Sequence, residues 1–181
     1  NATTPVSLAA NMTINGDLTF SQDKLFNIGT YNLKLGSLSS ILNGGSDRYI
    51  QTAGNAGDGG VTKSYSTSAT FAFPVGAPTI TPAQPVKYTP AYIGFSSDPA
   101  VLGSITVIPV GYEHPNTTTN GQRLTYFWRV TSAGFSGIAP NSVIHSFVYN
   151  NIDVVGTEAN YVPALYRNSD FTWRTGTNDN P

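Results

Sequence analysis

Hydrophobic and polar positions alternate in short runs over the first third of the chain. The alternating pairs are Met12 and Ile14, Leu18 and Phe20, and Leu33 and Leu35. Because successive side chains of a strand point to opposite faces, each run predicts a half-buried β-strand. Glycine and asparagine turns separate the runs at very short intervals, so the strands are predicted to stack on one another.

A near echo within this region suggests how the strands stack. The segment "INGDLTF" at residues 14–20 is echoed by "IGTYNLKL" at residues 28–35, about 14 residues later. Such an echo is typical of successive rungs of a β-solenoid, whose units bury their apolar faces only against neighbouring units. We therefore predict β-solenoid-like stacked strands over residues 1–68.

Longer strand patterns begin near residue 69. They include "ATFAF", "GSITVIPVGY", "RLTYFWRV" and "SVIHSFVY", joined by segments rich in Pro, Gly, Asn and Thr. This spacing predicts an antiparallel β-sandwich over residues 69–181. Pro74, Pro109 and Pro163 each remove a ladder donor, so we expect strand edges or bulges there. The predicted class is all-β, with short solenoid-like strands leading into the sandwich.

Composition removes several classes of partner. Charged residues make up 10% of the chain and the net charge is −1. No positive surface is available to attract phosphate backbones or anionic lipids, so we expect neither nucleic-acid binding nor membrane insertion. The chain has no cysteine, and its stability must come from packing and hydrogen bonds rather than from disulfides.

The glycine-rich segment "GNAGDGG" joins two predicted strands, residues 48–52 and 61–65. We interpret it as a plain hairpin or connection. Asn55 and Asp58 offer oxygen ligands, so calcium remains an alternative, although the spaced carboxylates of a calcium loop are missing. Two scattered histidines without cysteine make a zinc site improbable, and no other cofactor is expected.

Glu113 and His114 are adjacent at the end of a predicted strand. Neighbouring strand residues point to opposite faces, so the two side chains are not expected to act together on one substrate. His145 is predicted at a strand position where it is partly buried or has its hydrogen bonds satisfied. The segment "GFSG" lacks the strand–turn–helix frame of a nucleophile elbow. We expect no catalytic residue and no enzymatic activity, although a pair of carboxylates remains formally open.

Aromatic residues make up 12% of the chain. In "RLTYFWRV", Trp128 is predicted to face the core, and Arg129 to point outward and pair with a carboxylate or threonine. Tyr112, Tyr166 and Trp173 lie at strand ends and are candidates for stacking on sugar rings. The alternative is that these three rings pack against loops or a following domain.

Three phrases together resemble a known kind of module. They are "FAFPVGAPT…KYTPAYI", "ITVIPVGYEHPN…RLTYFWRVTSAGFSG" and "DVVGTEANYVPALYR". They are similar to a β module near the C-terminal ends of large secreted or surface adhesin-like proteins of Bacteroidetes-type bacteria, exported by type IX secretion. The resemblance implies a loop entry at Glu113 and His114, a core position for Trp128, and no catalytic residue.

From these observations we expect a non-enzymatic structural or adhesive module, extracellular or at the cell surface. The absence of a leader at Asn1 and the polar run at the other end suggest a segment of a longer protein or a trimmed mature form. Expected partners are neighbouring domains, further copies of the chain, or surface glycans. The alternatives are a carbohydrate-binding module of a secreted glycan-active protein and a viral jelly-roll coat protein.

Overall fold

The computed structural model describes residues 5–78, 87–117 and 121–175. The strands are β1 (Val6–Ser7), β2 (Met12–Ile14), β3 (Leu18–Thr19), β4 (Phe26–Gly29), β5 (Asn32–Leu35), β6 (Ile41–Leu42), β7 (Ile50–Thr52), β8 (Gly60–Ser64), β9 (Phe71–Phe73), β10 (Val75–Ala77), β11 (Lys87–Tyr88), β12 (Ala91–Phe95), β13 (Ser104–Val110), β14 (Arg123–Leu124), β15 (Phe127–Ala133), β16 (Val143–Phe147), β17 (Val154–Val155), β18 (Ala164–Arg167) and β19 (Thr172–Thr175). Two short 3-10 helices span Asn151–Asp153 and Glu158–Asn160. In these residues we find no helix of a length and hydropathy suited to crossing a membrane.

The N-terminal strands form a parallel stack with three walls. One wall contains β1, β4, β7 and β10 in that order, and the second contains β2, β5 and β8. The pair β3 and β6 forms the third wall. The chain thus passes from wall to wall and returns one rung further along, which is the solenoid-like arrangement predicted from the short alternating runs.

The predicted offset of about 14 residues between rungs is wrong. Ile14 pairs with Leu35, and Leu18 pairs with Ile41. Along the first two walls, the step from Val6 to Phe26 is 20 residues and the step from Leu33 to Val61 is 28. The rungs differ in length because their turns differ, so the short echo compared residues of different walls.

Antiparallel strands follow the parallel stack and continue its walls. β11 adds to β10, whereas β13 adds to β8 and is followed by β15. A separate antiparallel sheet has the order β16, β12, β9. The all-β class, with solenoid-like strands leading into antiparallel sheets, is confirmed. Residue 68 is the predicted boundary between the two parts of the chain, and two of the sheets contain strands from both sides of it. Residues 79–86, which belong to a predicted strand region, lie outside the described residues.

In the part of the chain that the structure describes, one apolar cluster lies between the walls. Its members include Ile28, Leu33 and Ile50 from the stack, and Phe73, Ile93 and Val107 from the later strands. Trp128 packs against this cluster as predicted, and its indole Nε1 donates a hydrogen bond to the Thr89 carbonyl at 2.9 Å.

Two lysines with largely buried side chains connect parts of the chain that are distant in sequence. Lys63 donates to the carbonyls of Gly36, Ser37 and Ser39 at 2.7–2.8 Å, which fixes the turn of the preceding rung. Lys87 lies 2.7 Å from the carboxylate of Asp153, and both side chains are largely buried. These contacts satisfy charges that burial would otherwise strongly destabilise.

Pro109 lies within β13, where it pairs with Trp128 of β15. On the other side of β13, the pairing with β8 ends at Val107, so the missing proline donor falls beyond the end of β8. His145 lies in a strand, β16, as predicted, but its side chain is exposed rather than partly buried.

Candidate functional site

The last two strands form a hairpin that carries two of the three predicted stacking residues. Tyr166 of β18 is paired with Trp173 of β19, and their ring centroids are 5.1 Å apart. Residues directly opposite each other in an antiparallel pair share one face of the sheet. This pairing therefore places both rings on the same face, although six residues separate them in the chain.

The carboxylate of Asp170 organises the turn of this hairpin. It accepts hydrogen bonds from the hydroxyl and the backbone N–H of Thr172, and it lies 3.2 Å from Arg174. The hydrogen bonds from Thr172, followed by the contact with Arg174, lower the pKa of Asp170. The next residue, Phe171, has a left-handed backbone with φ of 55°. This conformation is unusual for a bulky aromatic residue.

His114 joins the hairpin to the loop that follows β13. Its ring lies 4.7 Å from Tyr166, 4.9 Å from Trp173 and 4.8 Å from Phe127. The Nδ1 atom accepts a hydrogen bond from the Asn116 backbone N–H at 3.2 Å. Burial among these rings lowers the pKa of His114, so the imidazole is neutral at pH 7. The histidine acts here as a packing aromatic.

Tyr112 lies one ring away from this group. It contacts Phe127 at 5.9 Å, and its hydroxyl accepts a long hydrogen bond of 3.4 Å from the Ala56 backbone N–H. Of the three predicted stacking residues, the structure thus brings Tyr166 and Trp173 together. Tyr112 belongs instead to the contact between the glycine-rich loop and the sheet.

A shallow groove of about 370 Å³ opens between the hairpin and the loop after β13. Its lining residues are Pro115, Asn116, Thr117, Tyr166, Phe171 and Trp173. Trp173 is fixed in the groove because its Nε1 donates to the Asn116 carbonyl at 2.8 Å. Phe171 is 76% exposed and was not among the predicted stacking residues. The sequence feature that could have identified Phe171 is the presence of an aromatic residue inside the polar turn "RNSDFT".

Glu113 and His114 have separate partners. The carboxylate of Glu113 lies 2.5 Å from the guanidinium of Arg123, whereas His114 is held within the aromatic group. Both residues follow the end of β13, in the loop where the sequence placed them. The geometry offers no shared substrate position for this pair.

The glycine-rich loop runs between two different walls, β7 and β8, and so forms a corner rather than a hairpin. Asp58 accepts a hydrogen bond from the Asn55 backbone N–H at 3.0 Å. Arg129 donates to the Ala56 carbonyl at 2.6 Å, so its predicted pairing with a carboxylate or threonine was wrong. The described residues contain no group of three or more His, Cys, Asp or Glu placed to hold a metal ion. Calcium binding by Asn55 and Asp58 stays a prediction.

The N-terminal end of the stack is a second candidate surface. Within the described residues, β1, β2 and β3 each pair with a neighbour on one side only. Val6 is 59% exposed and Met12 is 42% exposed, although the residues paired with them, Phe26 and Leu33, are buried. This surface, defined by β1, β2 and β3, is called the open edge below. It presents unpaired backbone groups beside exposed apolar side chains.

Comparison of the chain with protein-family models, with curated proteins and with solved structures gives no match in any of the three.

Proposed function

We propose that the chain is the end module of a longer β-solenoid in a secreted or surface-exposed protein, with a structural and adhesive role. The open edge carries this proposal. Val6, Phe26, Ile50 and Val75 are joined by strand pairing into one column of side chains. The last three are buried and only Val6 is largely exposed. One more parallel rung placed on β1 would bury Val6 in the same way.

The second wall of the stack has the same pattern. Met12, Leu33 and Val61 form a column in which only Met12 is substantially exposed. Two independent columns that both end at an exposed apolar residue favour a further rung over a generic partner, because a rung matches their spacing and their strand direction. We assign that rung to the same polypeptide, on the N-terminal side of β1.

The other end of the stack has a different construction. β10 is followed by the antiparallel β11, and β8 by the antiparallel β13 and β15. A change from parallel to antiparallel pairing stops the addition of rungs, as terminal capping units do in repeat proteins. The module thus closes a solenoid at one end and continues it at the other.

The setting proposed for this module is outside the cell. Its support is the resemblance to adhesin-like modules of type IX secretion substrates. The proposed mechanism is mechanical and interfacial, and no residue is assigned to catalysis.

The test is the size and location of the native polypeptide. An antibody raised against residues 1–181 is used to probe surface, secreted and cytoplasmic fractions of the source organism. We expect a band far above 19.2 kDa in the surface or secreted fraction. A band near 19.2 kDa in the cytoplasm would refute both the stacking role and the extracellular setting.

A further inference from the structure

We propose that the groove between the β18–β19 hairpin and the loop after β13 binds an uncharged glycan, with Phe171 and Trp173 stacking on sugar rings. This proposal is independent of the stacking role of the open edge. It adds Phe171 to the predicted stacking residues and leaves Tyr112 out.

Phe171 is exposed and has an unfavourable backbone conformation. Because this large aromatic side chain is 76% exposed, it contributes little of the folding free energy that its burial would provide. Its left-handed backbone is a conformation that favours glycine or asparagine. A residue that is both exposed and strained does not stabilise its own hairpin. Such strain is found preferentially at binding sites.

The second argument is the rigidity of the surrounding surface. Trp173 is held by its hydrogen bond to Asn116, and Tyr166 and Trp173 both pack on His114. The aromatic faces are therefore placed before a ligand arrives, which reduces the entropy lost on binding. The turn beneath them is held by Asp170 and Thr172.

The third argument is the chemistry of the lining. The six residues that line the groove combine apolar ring faces with one amide and two hydroxyls, and none of the six is charged. A pyranose ring presents an apolar C–H face, which matches the aromatic rings of the groove, and hydroxyl groups at its edge, which match the polar groups of the lining. The volume of about 370 Å³ lies near the lower end of small-molecule sites, roughly 300–1,000 Å³. This size and the open shape fit a short stretch of a glycan chain.

The experiment is affinity electrophoresis of the full chain through gels that contain a soluble β-glucan, a xylan, a mannan or a galactan. Two variants are run beside the wild type. Phe171→Gly removes the ring while relieving the left-handed backbone, so its melting temperature should stay equal or rise. Leu165→Ala is the matched control, since Leu165 lies exposed on the same hairpin but does not line the groove.

We expect retardation of the wild type and of Leu165→Ala by at least one of the four polysaccharides. Phe171→Gly should bind that polysaccharide about tenfold more weakly, as expected for the loss of one stacking contact. Unchanged mobility of the wild type in all four gels would overturn the proposal. Equal retardation of a folded Phe171→Gly variant would also overturn it, as would binding of a proline-rich peptide in place of the polysaccharides.

Discussion

The column of side chains that ends at the open edge makes a quantitative prediction about stability. Ile50 and Val6 occupy the same column, two rungs apart. We compare Ile50→Ala with Val6→Ala in the isolated chain. Both substitutions remove apolar side-chain atoms from the same wall. The difference between their losses in free energy of unfolding therefore reports how completely each rung is covered by its neighbours.

The magnitudes follow from burial. Ile50 is fully buried, and strand pairing holds its neighbours Phe26 and Val75 in fixed register. These neighbours can therefore move little into the cavity that the substitution leaves. Replacement of a buried Ile by Ala costs about 2–5 kcal/mol, and we expect roughly 3–4 kcal/mol here. Val6 is 59% exposed. Because complete burial of a valine stabilises a protein by about 1.5–3 kcal/mol, its truncation should cost roughly 1 kcal/mol or less.

The assay is equilibrium unfolding in urea, monitored by circular dichroism and by tryptophan fluorescence. Coincident transitions of the two signals would justify a two-state free energy. The midpoint should fall strongly for Ile50→Ala and little for Val6→Ala, at an unchanged slope. Equal losses for the two variants would contradict the reasoning, because they would show that the first rung is already covered in the isolated chain.

Three further predictions concern single sites. Lowering the pH from 7 to 5 should destabilise the wild type more than His114→Phe, because burial lowers the pKa of His114 and the unfolded chain takes up the proton first. Lys87→Met should cost about 3–5 kcal/mol in urea unfolding by leaving the buried Asp153 carboxylate without its cation, and Lys87→Met combined with Asp153→Leu should recover most of that loss. Gly60→Ala should lower the free energy of unfolding by roughly 2–4 kcal/mol, because a Cβ would lie 2.6 Å from the Val107 carbonyl oxygen on a backbone with φ of 65°. The control Gly57→Ala, where a Cβ meets no atom within 4 Å, should lower it by less than about 1 kcal/mol.

Each of these has a result that would contradict it. An identical pH dependence in the wild type and His114→Phe would show that the titration belongs to other groups. A double variant as unstable as Lys87→Met would mean that the lost stability is packing rather than an unpaired charge. Similar melting temperatures for the Gly60→Ala and Gly57→Ala variants would show that β8 and β13 can separate at no cost.

Local pattern was sufficient to predict several strands of the stack, such as β2 and β5, but not their register. Met12 and Ile14 alternate correctly for β2, as do Leu33 and Leu35 for β5. Register depends on the length of each turn between walls, and turns of different length leave no periodic signal. The corner at residues 54–60 shows the same limit, because glycine turn chemistry is alike in a hairpin and in a corner that changes sheets.

The groove could be predicted only in part for a related reason. Tyr166 and Trp173 could be selected from the sequence as aromatic residues at strand ends, but their shared face depends on the register of the β18–β19 hairpin. His114 lies more than 50 residues earlier, and only the tertiary fold brings it against them. The bond from Arg129 to the Ala56 carbonyl is equally non-local, since a charged strand residue can be satisfied by a distant backbone group.

The most direct test of the central claim is amide hydrogen exchange across β1 and β2, measured in the native polypeptide and in the isolated chain of residues 1–181. If a further rung stacks on the open edge, the outward-pointing amides of Val6–Ser7 and Met12–Ile14 should exchange rapidly in the isolated chain. In the native polypeptide they should be as protected as the amides of β4 and β5. Equally rapid exchange in both forms would show that the open edge is free in the native protein, and the stacking role would be wrong.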